Sequence, residues 1–139
     1  MSLTLKNFRA ISMPQTDVIH VGDDGRIAAT ATPGARVIDC GGAYLSPGWC
    51  DLHVHVWHGG TDISVRASEA GRATGVTAMA DAGSAGEGNF HGLREYVIEP
   101  HNETIRAFIN IGSIGLVCCN RVSELIDMRS IDVDRTLDV

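Results

Sequence analysis

Lysine is almost absent from this 139-residue chain: Lys6 is the only one, and the other ten basic side chains are arginines scattered singly. Asp and Glu outnumber Lys and Arg 17 to 11, giving a formal net charge of -6. Nucleic-acid partners ordinarily leave a basic stripe on the protein that binds them, and no such stripe is present. Long apolar runs are missing as well. The longest, Ile109 to Cys119, is broken by Asn110 and Ser113 and falls well short of the roughly 20 residues of a membrane-spanning helix. The opening residues, Met1 to Arg9, alternate apolar and polar and lack the continuous apolar core of a signal peptide. The expectation is a cytoplasmic protein with neither nucleic acid nor membrane as partner. Four cysteines, Cys40, Cys50, Cys118 and Cys119, form no Cys-x-x-Cys pair. They suit neither a disulfide framework nor a structural zinc knot, and they read as small buried hydrophobes. Cys50 stands out only because it lies beside histidines.

Length sets a further bound. It allows about one domain and excludes a complete eight-stranded α/β barrel, which needs roughly 250 residues. Residues 1–46 read as all-β. Leu3, Leu5 and Phe8 belong to a first strand. Asp17–Val21 and Arg26–Thr30 flank Gly22-Asp23-Asp24-Gly25, a hairpin signal because glycine supplies the positive φ of the turn. Val37-Ile38-Asp39 is a further strand, ended by Gly41-Gly42. Fewer than about 50 residues can scarcely bury a core alone.

From Pro47-Gly48 onward the pattern alternates strands and helices. Leu52 to Val56 is a strand. Thr61 or Asp62 caps a helix running through Ala67, Ala70 and Ala73 to a stop at Gly75. Val76 to Ala82 is a second strand, and Gly83 to Gly88 reads as a flexible loop or a substrate-contacting one. Asn89 caps a second helix carrying Phe90, Leu93, Tyr96 and Val97, ended by Pro100. Ile105 to Ile111 is a third strand. Ser123 caps a stretch with Leu125, Ile126 and Met128, and Val133 to Val139 begins another amphipathic segment. Such β-α alternation predicts a parallel sheet with right-handed crossovers.

Three of the six histidines fall within six residues: His53, His55 and His58. Strand residues i and i+2 share a face, so His53 and His55 sit about 6.6–7 Å apart along the backbone. Both imidazoles can then reach one ion at roughly 2.0–2.1 Å. Asp51 precedes His53 by two residues and is placed on the same face. Strand ends of this kind are where α/β proteins build their sites. His58 either lines a substrate pocket or is a loop histidine. His91, His20 and His101 read as packing or surface residues. Asp81 is either close support for a metal site or a hydrogen-bonded buried residue. Ser84 has no base that the sequence can name. Asn120-Arg121 are candidates for contacting a substrate carboxylate, and Asp127, Asp132, Asp134 and Asp138 read as a solvated face and helix caps.

Pro47-Gly48-Trp49-Cys50-Asp51-Leu52-His53-Val54-His55 resembles the Pro-Gly-x-x-Asp-x-His-x-His signature of the amidohydrolase superfamily. Trp57 to Asp62 and Asp81 to Gly86 resemble its deacetylase and dihydroorotase-like branch. The resemblance implies an α/β fold, a partial (β/α)8 TIM barrel whose first three β-α units occupy 47–139, preceded by the N-terminal part of a small β-sandwich over 1–46. It implies a divalent metal centre, binuclear in the family and usually zinc, with His53 and His55 as ligands from the first strand. In the family a metal-bound hydroxide attacks the carbonyl of an amide, ester or cyclic amide. Two imidazoles suit zinc, manganese, iron, cobalt and nickel alike.

The family completes its site with a carboxylated lysine or a glutamate after strand four, histidines after strands five and six, and an aspartate after strand eight. No lysine follows Lys6 and no histidine follows His101, so no catalytic residue is expected within this chain. The expectation is an N-terminal fragment of a deacetylase-like hydrolase, inactive and weakly zinc-binding by itself, that exposes an unpaired sheet edge. The alternatives are a dihydroorotase-like cyclic amidohydrolase fragment, a non-catalytic remnant and a simple metal-binding module. A partner chain that completes the barrel, or self-association into a homo-oligomer, is expected.

Overall fold

A computed structural model describes residues 1–122 and 127–139, which form two compact units, Met1–Pro47 and Gly48–Val139. The first holds β1 (Leu3–Lys6), β2 (Arg9–Ala10), β3 (Val18–Val21), β4 (Ile27–Ala28), β5 (Arg36–Asp39) and β6 (Tyr44–Leu45). Four of these make one sheet in the order β4-β3-β1-β5, and β2 pairs with β6 separately. The expected hairpin is the antiparallel β3–β4 pair. Its turn closes through Gly25 N–H donating to the Gly22 carbonyl at 3.0 Å, with Gly25 at φ +77°. Phe8 is the one large apolar side chain of this unit that is fully sequestered among the described residues, in keeping with how little core so short a segment can enclose.

The second unit carries a parallel sheet of β7 (Trp49–Val54), β8 (Val76–Gly86) and β9 (Thr104–Asn110), in that order. Short helices separate the strands: α1 (Ala67–Ala70) between β7 and β8, then α2 (Phe90–Leu93) running into one wide π turn at Arg94–Ile98 before β9. α3 (Cys119–Val122), a 3-10 turn at Met128–Ser130 and α4 (Val133–Leu137) follow. The core is a single cluster of Val56, Ala67, Met79, Ala85, Leu93, Val97 and Ile105, contributed by all three strand regions and both intervening helices. No helix among the described residues is long and apolar enough to cross a membrane.

Four expectations need correction. The helix expected from Thr61 to Gly75 is reduced to Ala67–Ala70. Hydroxyls compete for its backbone: Thr61 Oγ1 accepts from Ile63 N–H at 3.3 Å, Ser64 Oγ donates to the Trp57 carbonyl at 2.7 Å, and Thr74 Oγ1 donates to the Ala70 carbonyl at 2.6 Å. The segment Gly83–Gly88, read as a loop, is instead strand as far as Gly86 and is buried through Glu87. Alternation along Leu52–Val56 puts Leu52 on the face away from the histidines, which the helices of a barrel would cover, yet Leu52 is 73% exposed. None of the four cysteines is fully buried, and Cys50 is exposed. The stretch Ser123 to Ile126 lies outside the described residues.

At the N-terminal end of the sheet, Glu103 is buried just before β9. Its Oε1 accepts from the Arg72 amide at 3.2 Å and forms an ion pair with Arg72 Nε at 3.2 Å. Its own backbone amide, with the Arg72 amide and guanidinium, holds this carboxyl below its ordinary value in spite of burial. Oε2 is buried without a hydrogen-bond partner among the described residues.

Candidate metal centre

The site grows out of an irregularity in β7. Asp51 lies beside Met79 and Val54 beside Asp81, so β7 takes three steps where β8 takes two. Such a bulge re-aims side chains. Here Asp51 does not join the histidines. Its Oδ1 accepts from His53 N–H at 3.0 Å, and no metal-suited group of three that includes it occurs among the described residues. His53 and His55 do come together. Their ring centroids are 5.6 Å apart and their planes cross at 88°.

His55 is held from behind. Its Nδ1 lies 3.1 Å from Ser84 Oγ. Ser84 Oγ donates to Asp81 Oδ2 at 2.8 Å, and Ser84 N–H donates to Asp81 Oδ1 at 2.7 Å. Asp81 Oδ2 also accepts from Val56 N–H at 2.9 Å. Both Asp81 and Ser84 are 0% exposed. The Asp81–Ser84 backbone bond spans three residues and bends β8, whose register shifts between Ala82 and Gly86. Close backbone approach then seals the bend. A Cβ on Gly86 would meet the Gly112 carbonyl oxygen at 1.8 Å, and one on Gly115, at φ +61°, would meet the Ser84 carbonyl oxygen at 2.3 Å. Leu116 N–H donates to that Ser84 carbonyl at 3.0 Å. Asn89, expected only as a helix cap, ties the same layers: Oδ1 accepts from Gly86 N–H at 2.9 Å and Nδ2 donates to the Ile114 carbonyl at 2.8 Å.

Sequence reasoning missed Ser84. The signal was the Asp81-x-x-Ser84 spacing, in which a carboxylate can accept from both the amide and the hydroxyl three residues on. A nucleophile's role does not suit this serine. It is wholly buried, its proton is given to Asp81, and it sits between the carboxylate and the imidazole, whereas a Ser-His-Asp relay puts the imidazole in the middle.

The donor set fits a divalent cation in part. Two imidazoles stand edge to face, one of them oriented through a single nitrogen, which supplies half a tetrahedral zinc shell. No group of three His, Cys, Asp or Glu suited to a metal occurs among the described residues. His58 is exposed and lines a separate 150 Å³ hollow with Val56, Arg66, Ser68, Tyr96 and His101. Asn120 and Arg121 face Asp62: Asn120 N–H donates to Asp62 Oδ1 at 3.3 Å, and Arg121 Nε lies 3.7 Å from Asp62 Oδ2.

No protein-family profile matches the chain. A deacetylase of Agrobacterium fabrum is 58% identical over 135 residues, covering 94% of this chain and 33% of the relative. A deacetylase of Brucella anthropi is 59% identical over 128 residues, covering 88% of this chain and 32% of the relative. A crystal structure described as a dihydroorotase superposes with a TM-score of 0.88 at 52% identity, over 99% of this chain and 38% of that one. The chain therefore spans about a third of the length of the curated relatives it matches.

Proposed function

Because the chain belongs to the amidohydrolase superfamily, we propose that it supplies the first part of the metal centre of a hydrolase that cleaves the C–N bond of an N-acyl compound. Its three parallel strands are the opening β-α units of a barrel, and Met1–Pro47 is part of the accompanying small β-sandwich. The observation that carries this reading is the His53–His55 pair, 5.6 Å between ring centroids, with His55 anchored through Ser84. Deacetylation leads over ring opening because the two relatives near 60% identity are named deacetylases. The dihydroorotase-like reading rests on the structural match and shares the same histidine pair.

A bound divalent cation, zinc foremost, supplies Lewis-acid polarisation of the substrate carbonyl and acidifies water. The chain's own residues do the rest of what can be assigned here. His53 and His55 hold the ion. Asp81 and Ser84 fix one imidazole against the sheet. The packed layer of Gly86, Gly115 and Asn89 keeps that support closed to water. β7 and β9 are the outer strands of the sheet, and each exposes a large apolar side chain, Leu52 at 73% and Phe108 at 64%. Exposed strand edges invite pairing, so further strands, from the same polypeptide or a partner, complete the barrel and the ligand shell.

Zinc titration of the chain by calorimetry tests this reading. The expected result is weak, roughly stoichiometric binding that His53→Ala or His55→Ala lowers by about tenfold or more, since each removes one of the two ligands found among the described residues. No release of acetate from an N-acetyl amino acid is expected of the chain alone. Zinc uptake unchanged in both variants overturns the metal assignment, and turnover by the isolated chain overturns the incomplete site.

A further inference from the structure

We infer that Ser84, backed by Asp81, sets the tautomer of His55, holding the proton on Nδ1 and leaving the Nε2 lone pair for an ion. The inference rests on the metal reading above and adds positioning residues to it. The direction of the chain of bonds decides the matter. A carboxylate only accepts, so the three groups around Asp81, the amides of Val56 and Ser84 and the hydroxyl of Ser84, all give their protons to it. The single proton of Ser84 is thereby used. What Ser84 Oγ still offers His55 at 3.1 Å is a lone pair, so Nδ1 must be the donor. In a neutral imidazole the other nitrogen is then the acceptor. Nε2 has no hydrogen-bond partner among the described residues. Burial makes the arrangement firm: Ser84 and Asp81 are 0% exposed, so water cannot supply a substitute acceptor. Among the described residues His53 has no side-chain partner of this kind.

The test is ¹⁵N–¹H correlation of the histidine side chains in the zinc-free chain, at a pH where the imidazoles are neutral, in the native protein and in Ser84→Ala. Native His55 is expected as the Nδ1–H form. In Ser84→Ala it moves to a mixture weighted toward Nε2–H, while His53 keeps its native pattern and serves as the internal control. Zinc affinity falls by about 10- to 100-fold in Ser84→Ala, the loss usual for a group that orients a metal-ligating histidine. A native His55 in the Nε2–H form overturns the inference, as does a His55 tautomer indifferent to Ser84→Ala. The spectra need no metal, so they judge this inference separately. Zinc binding that ignores His53→Ala and His55→Ala overturns the metal reading instead.

Discussion

Two buried carboxylates, Asp81 and Glu103, lie toward opposite ends of the same parallel sheet. Asp81 sits toward the C-terminal end, beside the close of β7, and accepts three hydrogen bonds from Val56 and Ser84. Glu103 sits where β9 begins, pairs through one oxygen with the partly exposed Arg72, and leaves its other oxygen without a partner among the described residues. In open and closed α/β sheets, ligands gather at the carboxyl ends of the strands, and the opposite end serves stability. The two residues follow that division. The site end carries a fully satisfied network because an imidazole must be held in one orientation. The other end needs only to close a turn, and half of a carboxylate is enough.

The largest expected effect breaks the comparison at its stronger side. Asp81→Ala strands two buried amides and a buried hydroxyl, and a cost on the order of 3–5 kcal/mol is expected, at about 1–3 kcal/mol for each donor left unpaired and with partial relaxation. Glu103→Ala removes a pair whose guanidinium is largely in water, together with an oxygen that was desolvated without return. About 1 kcal/mol is expected. Urea unfolding midpoints of the two variants measure the difference. Equal losses would mean that the two ends are built alike.

The histidine pair was legible from the His53-x-His55 spacing, although β7 ends at Val54 and His55 stands just beyond it. The hairpin at Gly22–Gly25 was legible from its glycine turn, and the parallel pairing of the later strands from their β-α alternation. The support behind His55 was not, since it joins residues 29 apart in sequence through a glycine-rich run whose composition suggests a loop. That run is strand only because Gly86 and Gly115 let backbones approach to within contact, a tertiary fact. The helix before β8 was misread because Ala67, Ala70 and Ala73 keep helical spacing while Thr61, Ser64 and Thr74 bond to the backbone instead.

An acid titration sharpens the comparison at its weaker side. The folded-state value of Glu103 lies below the 4.5 of the unfolded chain. A depressed carboxylate contributes its stability in full above the unfolded value and loses it as pH falls through the folded one. Native protein is therefore expected to exceed Glu103→Gln in stability at pH 7, with the gap closing as the pH drops below 4.5. Asp39 and Asp127 are also depressed, by the Gly41 amide and by the Arg129 side chain respectively, but they are common to both proteins and cancel. Urea midpoints at several pH values read the gap directly, and a gap independent of pH would remove Glu103 from the acid limb.

The smallest effect expected is at Asp51, the carboxylate nearest the histidines in sequence. Its Oδ1 accepts from His53 N–H, and an amide oxygen performs that task as well as a carboxylate oxygen does. Asp51→Asn should therefore stay within about 0.5 kcal/mol of native stability, as surface-type changes do. It should also leave zinc affinity within about twofold, because no ligand is lost and the support of His55 through Ser84 is untouched. A tenfold fall in zinc affinity with stability preserved would show Asp51 reaching the ion. The bulge between Asp51 and Val54 would then have to straighten when metal binds, and the division of labour would shift, with Asp51, His53 and His55 as three ligands from one stretch of chain and Asp81 supporting a site of different shape.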